Sequence, residues 1–175
     1  VILNAPHPVP FARALAGDPA QQQASRYMNW LRRPGSEERL AENGFARLER
    51  LLQNPDGADW FDAATRADYH AAWGQPGALA ANVAWYRASP LFPPTESERG
   101  AAGVTLDPAA FVVNVPTLVV WGERDIALLP VLLDGLDALV PKIRIVRIPD
   151  ASHWLVHEQP QRVIDEIRSF VADAA

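Results

Sequence analysis

The sequence predicts an α/β fold in which a helical region is followed by the last strands of a mainly parallel sheet with flanking helices. Two apolar runs near the C-terminus, at 117–121 and 143–148, have the composition of buried strands, and each is followed by a turn. Between residues 9 and 113 the pattern is mainly helical. The chain opens on a third apolar run, at 1–3, which predicts a parallel strand that needs a neighbour to pair with.

The run at 117–121 is bounded by Pro116 and Gly122 and is rich in β-branched and aromatic residues, which favours a strand covered on both faces. Asp125 falls in the turn just beyond its end. Taken alone, an Asp in this position is more often a turn former or a helix N-cap than a catalytic group.

The run at 143–148 is stopped by Pro149, and His153 follows in a loop before a helix that Pro160 can start. Taken alone, a loop His is more often a packed surface residue. The carboxyl ends of parallel strands meet at one edge of a sheet, however, so Asp125 and His153 are expected to lie side by side. The carboxylate would then fix the imidazole tautomer, as in a nucleophile-acid-base triad.

Capping and breaking signals predict four helices before the sheet strands. They run from Asp18-Pro19 to about Arg33, from Ser36 to Asn43-Gly44, from Thr65 onward, and from Pro76 to about Ala88. Apolar residues at 45, 48, 51 and 52 have the spacing of one helix face. The stretch 91–108 is rich in Pro, Gly and Ser and predicts a return connection to the sheet.

The composition excludes several classes of function. The chain has 175 residues, an apolar fraction of 49% that is ordinary for a globular protein, and a net charge of -5 that argues against nucleic acid as a partner. It has no cysteine, which excludes disulfides and thiolate metal sites. This leaves the compartment open but agrees with the cytoplasmic location that we expect. No apolar run approaches the roughly 20 residues of a membrane span.

Two runs near the C-terminus resemble the C-terminal third of the α/β-hydrolases, in the branch that contains epoxide hydrolases and haloacid or haloalkane dehalogenases. They are VPTLVVWGERD at 115–125 and ASHWLVHEQPQRV at 151–163. The run VILNAPHP at 1–8 resembles the strand and loop that lead from the nucleophile elbow into the helical cap. The resemblance implies core strand and loop at 1–8, cap at 9–90, return connection at 91–113 and core at 114–175.

Two cap tyrosines carry the functional hypothesis. RYMNWLRRPG at 26–35 and NVAWYR at 82–87 resemble the cap segments of epoxide hydrolases and place Tyr27 and Tyr86 at the ring-opening positions. Two neutral phenols can donate hydrogen bonds to the alkoxide that develops when an epoxide opens. The alternative is that each ring fills a hydrophobic interface with its hydroxyl at the rim.

Four further residues are predicted to line the substrate pocket, although each also suits a packing role: His7, Trp30, Trp121 and Trp154. The dehalogenases that cleave fluoroacetate have a His-Trp pair near the position that Tyr27 takes in this resemblance. The helix around Tyr27 has no His, which favours an epoxide as the substrate. His157 follows His153 by four residues but lacks a third ligand, so neither a metal nor another cofactor is expected.

The resemblance places the nucleophile in a Gly-x-Asp/Ser-x-Gly elbow upstream of Val1. The parent is expected to open a small apolar epoxide to a diol through an Asp ester, with water activated by His153, and the fragment alone is expected to be inactive. The alternatives are a dehalogenase, a Ser esterase, or a noncatalytic module whose open sheet edge pairs with another copy or with a missing N-terminal half.

Overall fold

A computed structural model describes residues 1–52 and 59–174. The chain divides into two compact units. The sheet unit comprises Val1–Ser25 and Leu91–Ala175, and the helical unit comprises Arg26–Pro90. The predicted cap bounds at 9–90 stay a prediction.

The sheet unit contains three parallel strands in the order β1 (Ile2–Leu3), β2 (Thr117–Gly122) and β3 (Ile143–Ile148). The register pairs Ile2 with Val119, and Thr117 with Ile143. The strands expected at both C-terminal runs are confirmed, and the run at 1–3 finds its partner in β2. Among the described residues, the other edge of β1 has no strand beside it.

Strand β2 is covered on both faces, as its composition predicts. Alternate side chains enter two separate apolar clusters. Val119 and Trp121 pack with Ala14 and with the loops after β2, whereas Leu118 and Val120 pack with Ile148, Leu155 and Val163. These clusters fix the end of β2, and with it the turn that carries Asp125.

The helices of the sheet unit are α1 (Pro8–Gly17), α2 (Pro19–Ala24), α7 (Leu155–Glu158) and α8 (Pro160–Ala174). Short 3₁₀ helices lie at Gly100–Gly103, Pro108–Phe111, Pro130–Leu133 and Leu136–Ala138. Helix α1 belongs to this unit because Ala14 is part of the cluster around Trp121. Helix α8 begins at Pro160, as the sequence predicts.

The helical unit contains α3 (Arg26–Leu31), α4 (Ser36–Leu52), α5 (Ala63–Trp73) and α6 (Ala78–Ala88). Its core joins α3, α4 and α6. The buried residues of that core are Leu31, Leu40 and Val83, and the partly buried residues packed against them include Tyr27, Trp30, Leu48 and Tyr86.

Two predicted helix boundaries are wrong for reasons visible in the capping contacts. Helix α5 begins at Ala63 rather than Thr65, because the Asp62 carboxylate accepts a hydrogen bond from the Thr65 amide and so provides the N-cap. Helix α6 begins at Ala78 rather than Pro76, after Gly77 adopts a φ of 79° that a helix does not allow.

The helix expected from Asp18-Pro19 to about Arg33 is two helices separated at Ser25. The Ser25 hydroxyl accepts a hydrogen bond from the buried Gln21 side chain. In α4 the backbone leaves the helical conformation at Glu42 and takes positive φ at Asn43, Gly44 and Phe45. The predicted stop at Asn43-Gly44 is therefore confirmed: these non-helical residues separate the helix that begins at Ser36 from a second helical segment that ends at Leu52.

Candidate active site

The structure brings Asp125 and His153 together at the carboxyl ends of β2 and β3. The Nδ1 atom of His153 lies 2.7 Å from Oδ2 of Asp125. Asp125 has no exposed side-chain surface, whereas a third of the His153 side chain is exposed. The buried group is thus the acid, and the ring that it holds faces outward. Their catalytic roles stay predictions.

The Asp125 carboxylate is fully hydrogen-bonded. Its Oδ1 accepts from the main-chain amides of Ala127 and Leu128, each at 2.8 Å. Its Oδ2 accepts from the Asn4 side chain at 2.9 Å and from His153. Four donors around a buried carboxylate satisfy both of its oxygens and prevent it from rotating.

The carboxylate fixes which nitrogen of His153 carries the proton. An ionised carboxylate can only accept, so Nδ1 is the donor and Nε2 of the neutral ring is left as a bare acceptor. Nε2 makes no hydrogen bond to any residue that the structure describes. This tautomer suits a general base that removes a proton from water.

Backbone contacts join the two loops that carry this pair. The amide of Glu123 donates to the carbonyl of Ile148 at 3.0 Å, and the amide of Arg124 donates to that of Ala151 at 2.9 Å. These bonds continue the pairing of β2 and β3 beyond the strand ends. The turn after β2 and the loop before His153 therefore form one rigid corner.

Glu158 fixes Ser152, the residue that precedes His153 in the chain. Its carboxylate accepts from the Ser152 amide at 2.6 Å and from the Ser152 hydroxyl at 2.5 Å. The Trp154 amide donates to the same hydroxyl, and the Trp154 ring packs edge-to-face on His153 with centroids 4.9 Å apart. Trp154, a predicted pocket residue, thus contacts the candidate base directly.

Within the helical unit, Tyr27 of α3 and Tyr86 of α6 form a pair. Their ring centroids lie 6.0 Å apart in an edge-to-face arrangement. Burial raises the pKa of Tyr86, and a hydrogen bond with Tyr27 acts against that rise. Tyr86 therefore remains a protonated donor at neutral pH. Arg32 supports the pair by donating to the carbonyls of Tyr86 and Ser89.

Arg87, the neighbour of Tyr86, fastens α6 to the start of α4. Its guanidinium pairs with the Glu37 carboxylate and donates to the Arg33 carbonyl and the Ser36 hydroxyl. The hydrogen bond from Arg87 is the main cause that lowers the pKa of Glu37 to about 2. The arginine thus fixes the position along α6 at which Tyr86 meets Tyr27.

A cavity of about 290 Å³ opens beside Tyr27 within the helical unit. Its lining residues are Tyr27, Trp30, Leu31, Leu40, Arg47, Arg50 and Leu51. The Arg47 guanidinium lies over the Trp30 ring, 5.5 Å from its centroid. Two predicted site residues, Tyr27 and Trp30, therefore line one mainly apolar cavity.

Two other predicted pocket residues have structural contacts of their own. His7 caps α1: its Nδ1 accepts from the Val9 amide, and its Nε2 lies 2.9 Å from the Phe111 carbonyl. Trp121 is 1% exposed and belongs to the core cluster on one face of β2. A pocket-lining role for His7 and Trp121 stays a prediction, while their packing roles are observed.

Sequence reasoning missed Asn4, Ser152 and Glu158. All three lie in runs that carry the family resemblance, but their side chains act through contacts that no local pattern reveals. The one local signal is the identity of residue 4. Asn tolerates positive φ, so an Asn directly after a strand indicates a sharp turn of the backbone there.

Within residues 1–52 and 59–174, the structure has no group of three or more His, Asp or Glu side chains arranged to hold a metal ion. Over the same residues, none of the helices has both the length and the apolar character needed to cross a membrane.

No protein-family model matches the chain. It is 29% identical over 161 residues to the AB hydrolase superfamily protein YfhM of Bacillus subtilis, an alignment that covers 91% of this chain and 52% of the relative. It is 29% identical over 182 residues to epoxide hydrolase 3 of Xenopus tropicalis, covering 99% of this chain and 46% of the relative. A crystal structure of an epoxide hydrolase variant from Bacillus megaterium superposes with a TM-score of 0.82 at 28% identity, covering 97% of this chain and 59% of that one.

The chain has an epoxide hydrolase-like α/β-hydrolase fold. It spans about half the length of the curated relatives that it matches. This coverage is consistent with the C-terminal portion of the fold, so the predicted fold class and resemblance are confirmed. In this epoxide hydrolase-like fold, the strand ends that carry Asp125 and His153 are where α/β-hydrolases collect their reactive groups.

Proposed function

We propose that this chain supplies the acid, the base and two ring-opening tyrosines of an epoxide hydrolase, and that residues outside 1–175 supply the nucleophile. The observation that carries the proposal is the hydrogen bond from His153 to the buried, fully bonded carboxylate of Asp125. The similarity to proteins named as epoxide hydrolases supports the choice of reaction.

The reaction would take two steps. In the first, a carboxylate nucleophile attacks one epoxide carbon, the carbon–oxygen bond breaks, and the ring oxygen leaves as an alkoxide. Tyr27 and Tyr86 are the proposed donors to that oxygen, and one of them gives it a proton. The product of this step is an alkyl ester of the nucleophile with a neighbouring hydroxyl group.

In the second step, Nε2 of His153 removes a proton from water, and the resulting hydroxide attacks the ester carbonyl. Asp125 stabilises the imidazolium that forms. Cleavage of the ester leaves the nucleophile as a carboxylic acid and the diol oxygen as an alkoxide, which takes the proton from the imidazolium. The carboxylic acid then loses its proton to the tyrosinate left by the first step, which restores the carboxylate and both phenols. No metal or organic cofactor is needed to balance these steps.

The tyrosine pair supports an epoxide rather than an ester as substrate. Departure of an alkoxide from carbon needs hydrogen-bond donors on the leaving oxygen, and two neutral phenols held edge-to-face provide them. The cavity of about 290 Å³ beside Tyr27 is mainly apolar and has room for a small apolar group. We therefore propose a small apolar epoxide as the substrate. We also propose the cytoplasm as the location, because a sequence without cysteine agrees with a reducing compartment.

The decisive observation is the sequence immediately upstream of Val1, followed by an assay of the longer protein. An upstream Gly-x-Asp-x-Gly supports the proposal, and Gly-x-Ser-x-Gly would replace it with an esterase. The longer protein should convert styrene oxide to its diol, measured by chromatography, whereas residues 1–175 alone should not. Parallel assays with a haloalkane and with p-nitrophenyl acetate should show little turnover; a faster reaction with either would overturn the choice of substrate.

Variants of the longer protein test the site itself. We expect His153→Ala and Tyr86→Phe to abolish or strongly reduce diol formation. Tyr69→Phe removes a phenol on another helix of the same unit, so it should retain activity. Full activity in both His153→Ala and Tyr86→Phe would contradict the site assignment.

A further inference from the structure

Asn4 lies directly after β1 in an unusual backbone conformation. Its φ is 40°, which places a non-glycine residue in the left-handed region, and only 5% of its surface is exposed. Its amide donates to the Val120 carbonyl at 3.1 Å and so extends the pairing of β1 with β2 by one residue. The positive φ then turns the side chain toward the corner that carries Asp125 and His153.

Every hydrogen-bonding group of the Asn4 side chain has a partner. The amide nitrogen Nδ2 donates to Oδ2 of Asp125 and to the carbonyl of Ser152, each at 2.9 Å. The oxygen Oδ1 accepts from the Gly122 amide at 2.7 Å. The opposite orientation of the amide would set its oxygen against two acceptors and its nitrogen against a donor, so the partners fix the assignment.

The two acceptors of Nδ2 connect the acid and the base. The Ser152 carbonyl belongs to the peptide bond that leads into His153, and Oδ2 of Asp125 is the atom that accepts from Nδ1 of His153. One NH₂ group thus holds the main chain at the base and the carboxylate that the base contacts.

We propose that Asn4 is a positioning residue that keeps His153 in the tautomer with Nδ1 protonated and Nε2 free to accept. Without its two donors, Oδ2 of Asp125 loses one of its two partners and the peptide before His153 loses its tie to β1. The carboxylate and the ring can then move apart, and the ring can exchange its proton between the two nitrogens. The catalytic consequence of this role rests on the proposed function.

A purely structural role for Asn4, joining β1 to the loops, predicts a different result. It would lower stability without changing the protonation of His153 in molecules that remain folded. The test therefore needs a readout of the imidazole itself, together with a control that destabilises the same unit from another place. Val163 suits the control because it lies in the cluster with Leu118, apart from the hydrogen bonds of Asn4.

The experiment measures the ring ¹⁵N shifts of His153 by long-range ¹H–¹⁵N correlation in the histidine-labelled 175-residue chain, at a pH where the ring is neutral. His153→Gln assigns the signals. Wild type and Val163→Ala should show two well-separated shifts, with Nδ1 protonated. Asn4→Gly, which keeps the backbone freedom of position 4, should move both shifts toward their mean. Unchanged shifts in folded Asn4→Gly would overturn the proposal.

A second measurement needs no variant. The side-chain amide of Asn4 and Nδ1 of His153 donate to the same oxygen, so their protons should give a nuclear Overhauser effect in the wild-type chain. If the Nδ1 proton is visible but this effect is absent, the proposal is also overturned. In the longer protein, Asn4→Gly should lower kcat with little change in KM. A protein with the expected tautomer but no epoxide turnover would reject the proposed function and leave the role of Asn4 intact.

Discussion

The α-carbon of Gly122 packs so closely against Ser152 that a Cβ atom added to it would lie 2.4 Å from the Ser152 carbonyl oxygen. The same carbonyl accepts from Asn4, and the Gly122 amide donates to Asn4. The turn after β2 and the loop before His153 are thus in direct contact where the candidate acid and base meet. Glycine at 122 is required by this close approach.

We expect Gly122→Ala to destabilise the chain by about 1–3 kcal/mol, the usual cost of overpacking a tight interior. The obstructing atoms belong to the main chain of Ala151 and Ser152, so they cannot rotate away as a side chain would. Urea denaturation followed by circular dichroism measures the change.

Gly17→Ala is the matched control for that substitution. Gly17 is the last residue of α1, and a Cβ atom there would meet nothing within 4 Å. We expect this variant to have unchanged stability or a gain of up to about 1 kcal/mol, because alanine is the better helix former. Equal losses in the two glycine variants would show that the contact of Gly122 with Ser152 is unimportant.

Asp125→Asn tests the hydrogen bonds around the acid. The new NH₂ group must face a donor, either the amides of Ala127 and Leu128 or the side chain of Asn4. We expect a loss of about 1–3 kcal/mol for each buried group left without a partner, measured by urea denaturation.

The same substitution should also change the base. If the new amide donates to Nδ1 of His153, the ring proton moves to Nε2, and the ring ¹⁵N shifts exchange their positions. In the longer protein the turnover rate should fall on the order of 10⁴-fold, the effect of the wrong imidazole tautomer in a Ser-His-Asp triad. A variant with normal turnover would show that Asp125 is not the triad acid.

The sequence predicts the strands and the acid-base pair because both depend on local or topological rules. The composition of 117–121 is that of a strand covered on both faces, and β2 proves to be covered on both. The meeting of Asp125 with His153 follows from the parallel order of β2 and β3, since adjacent parallel strands end at one edge.

The support of that pair cannot be predicted in the same way. The side-chain partners of Asn4 lie 118 to 148 residues away in the chain, so no spacing or periodicity links them. The break between α2 and α3 is similar, because the side chain of Gln21 donates both to Ser25 and to the distant carbonyl of Ala127. Tertiary contacts, which a local pattern does not contain, decide both features.

Substitution of the paired phenols should separate their roles in turnover. Removing one preorganised donor to a developing oxyanion costs about 10²–10³ in kcat. We expect a loss of this order for Tyr86→Phe and for Tyr27→Phe in the longer protein. Because Tyr27 and Tyr86 are edge-to-face, the double variant should lose less than the product of the single losses. Fully multiplicative losses would show that the two hydroxyls act independently.

The pKa of Tyr86 gives an alkaline dependence of stability that can be isolated. Burial raises this pKa above 10.0, so at high pH the folded chain keeps a proton that the unfolded chain has lost. The neutral phenol therefore contributes fully to the free energy of unfolding when the pH is below the pKa of Tyr86 in the unfolded chain. This contribution is lost as the pH rises through the higher pKa of Tyr86 in the folded chain. Urea midpoints measured across that interval should fall less steeply in Tyr86→Phe than in wild type. The control Tyr69→Phe leaves Tyr86 in place, so its urea midpoint should keep the part of the decline that is due to Tyr86. Identical slopes in wild type and Tyr86→Phe would contradict burial of Tyr86 as the cause.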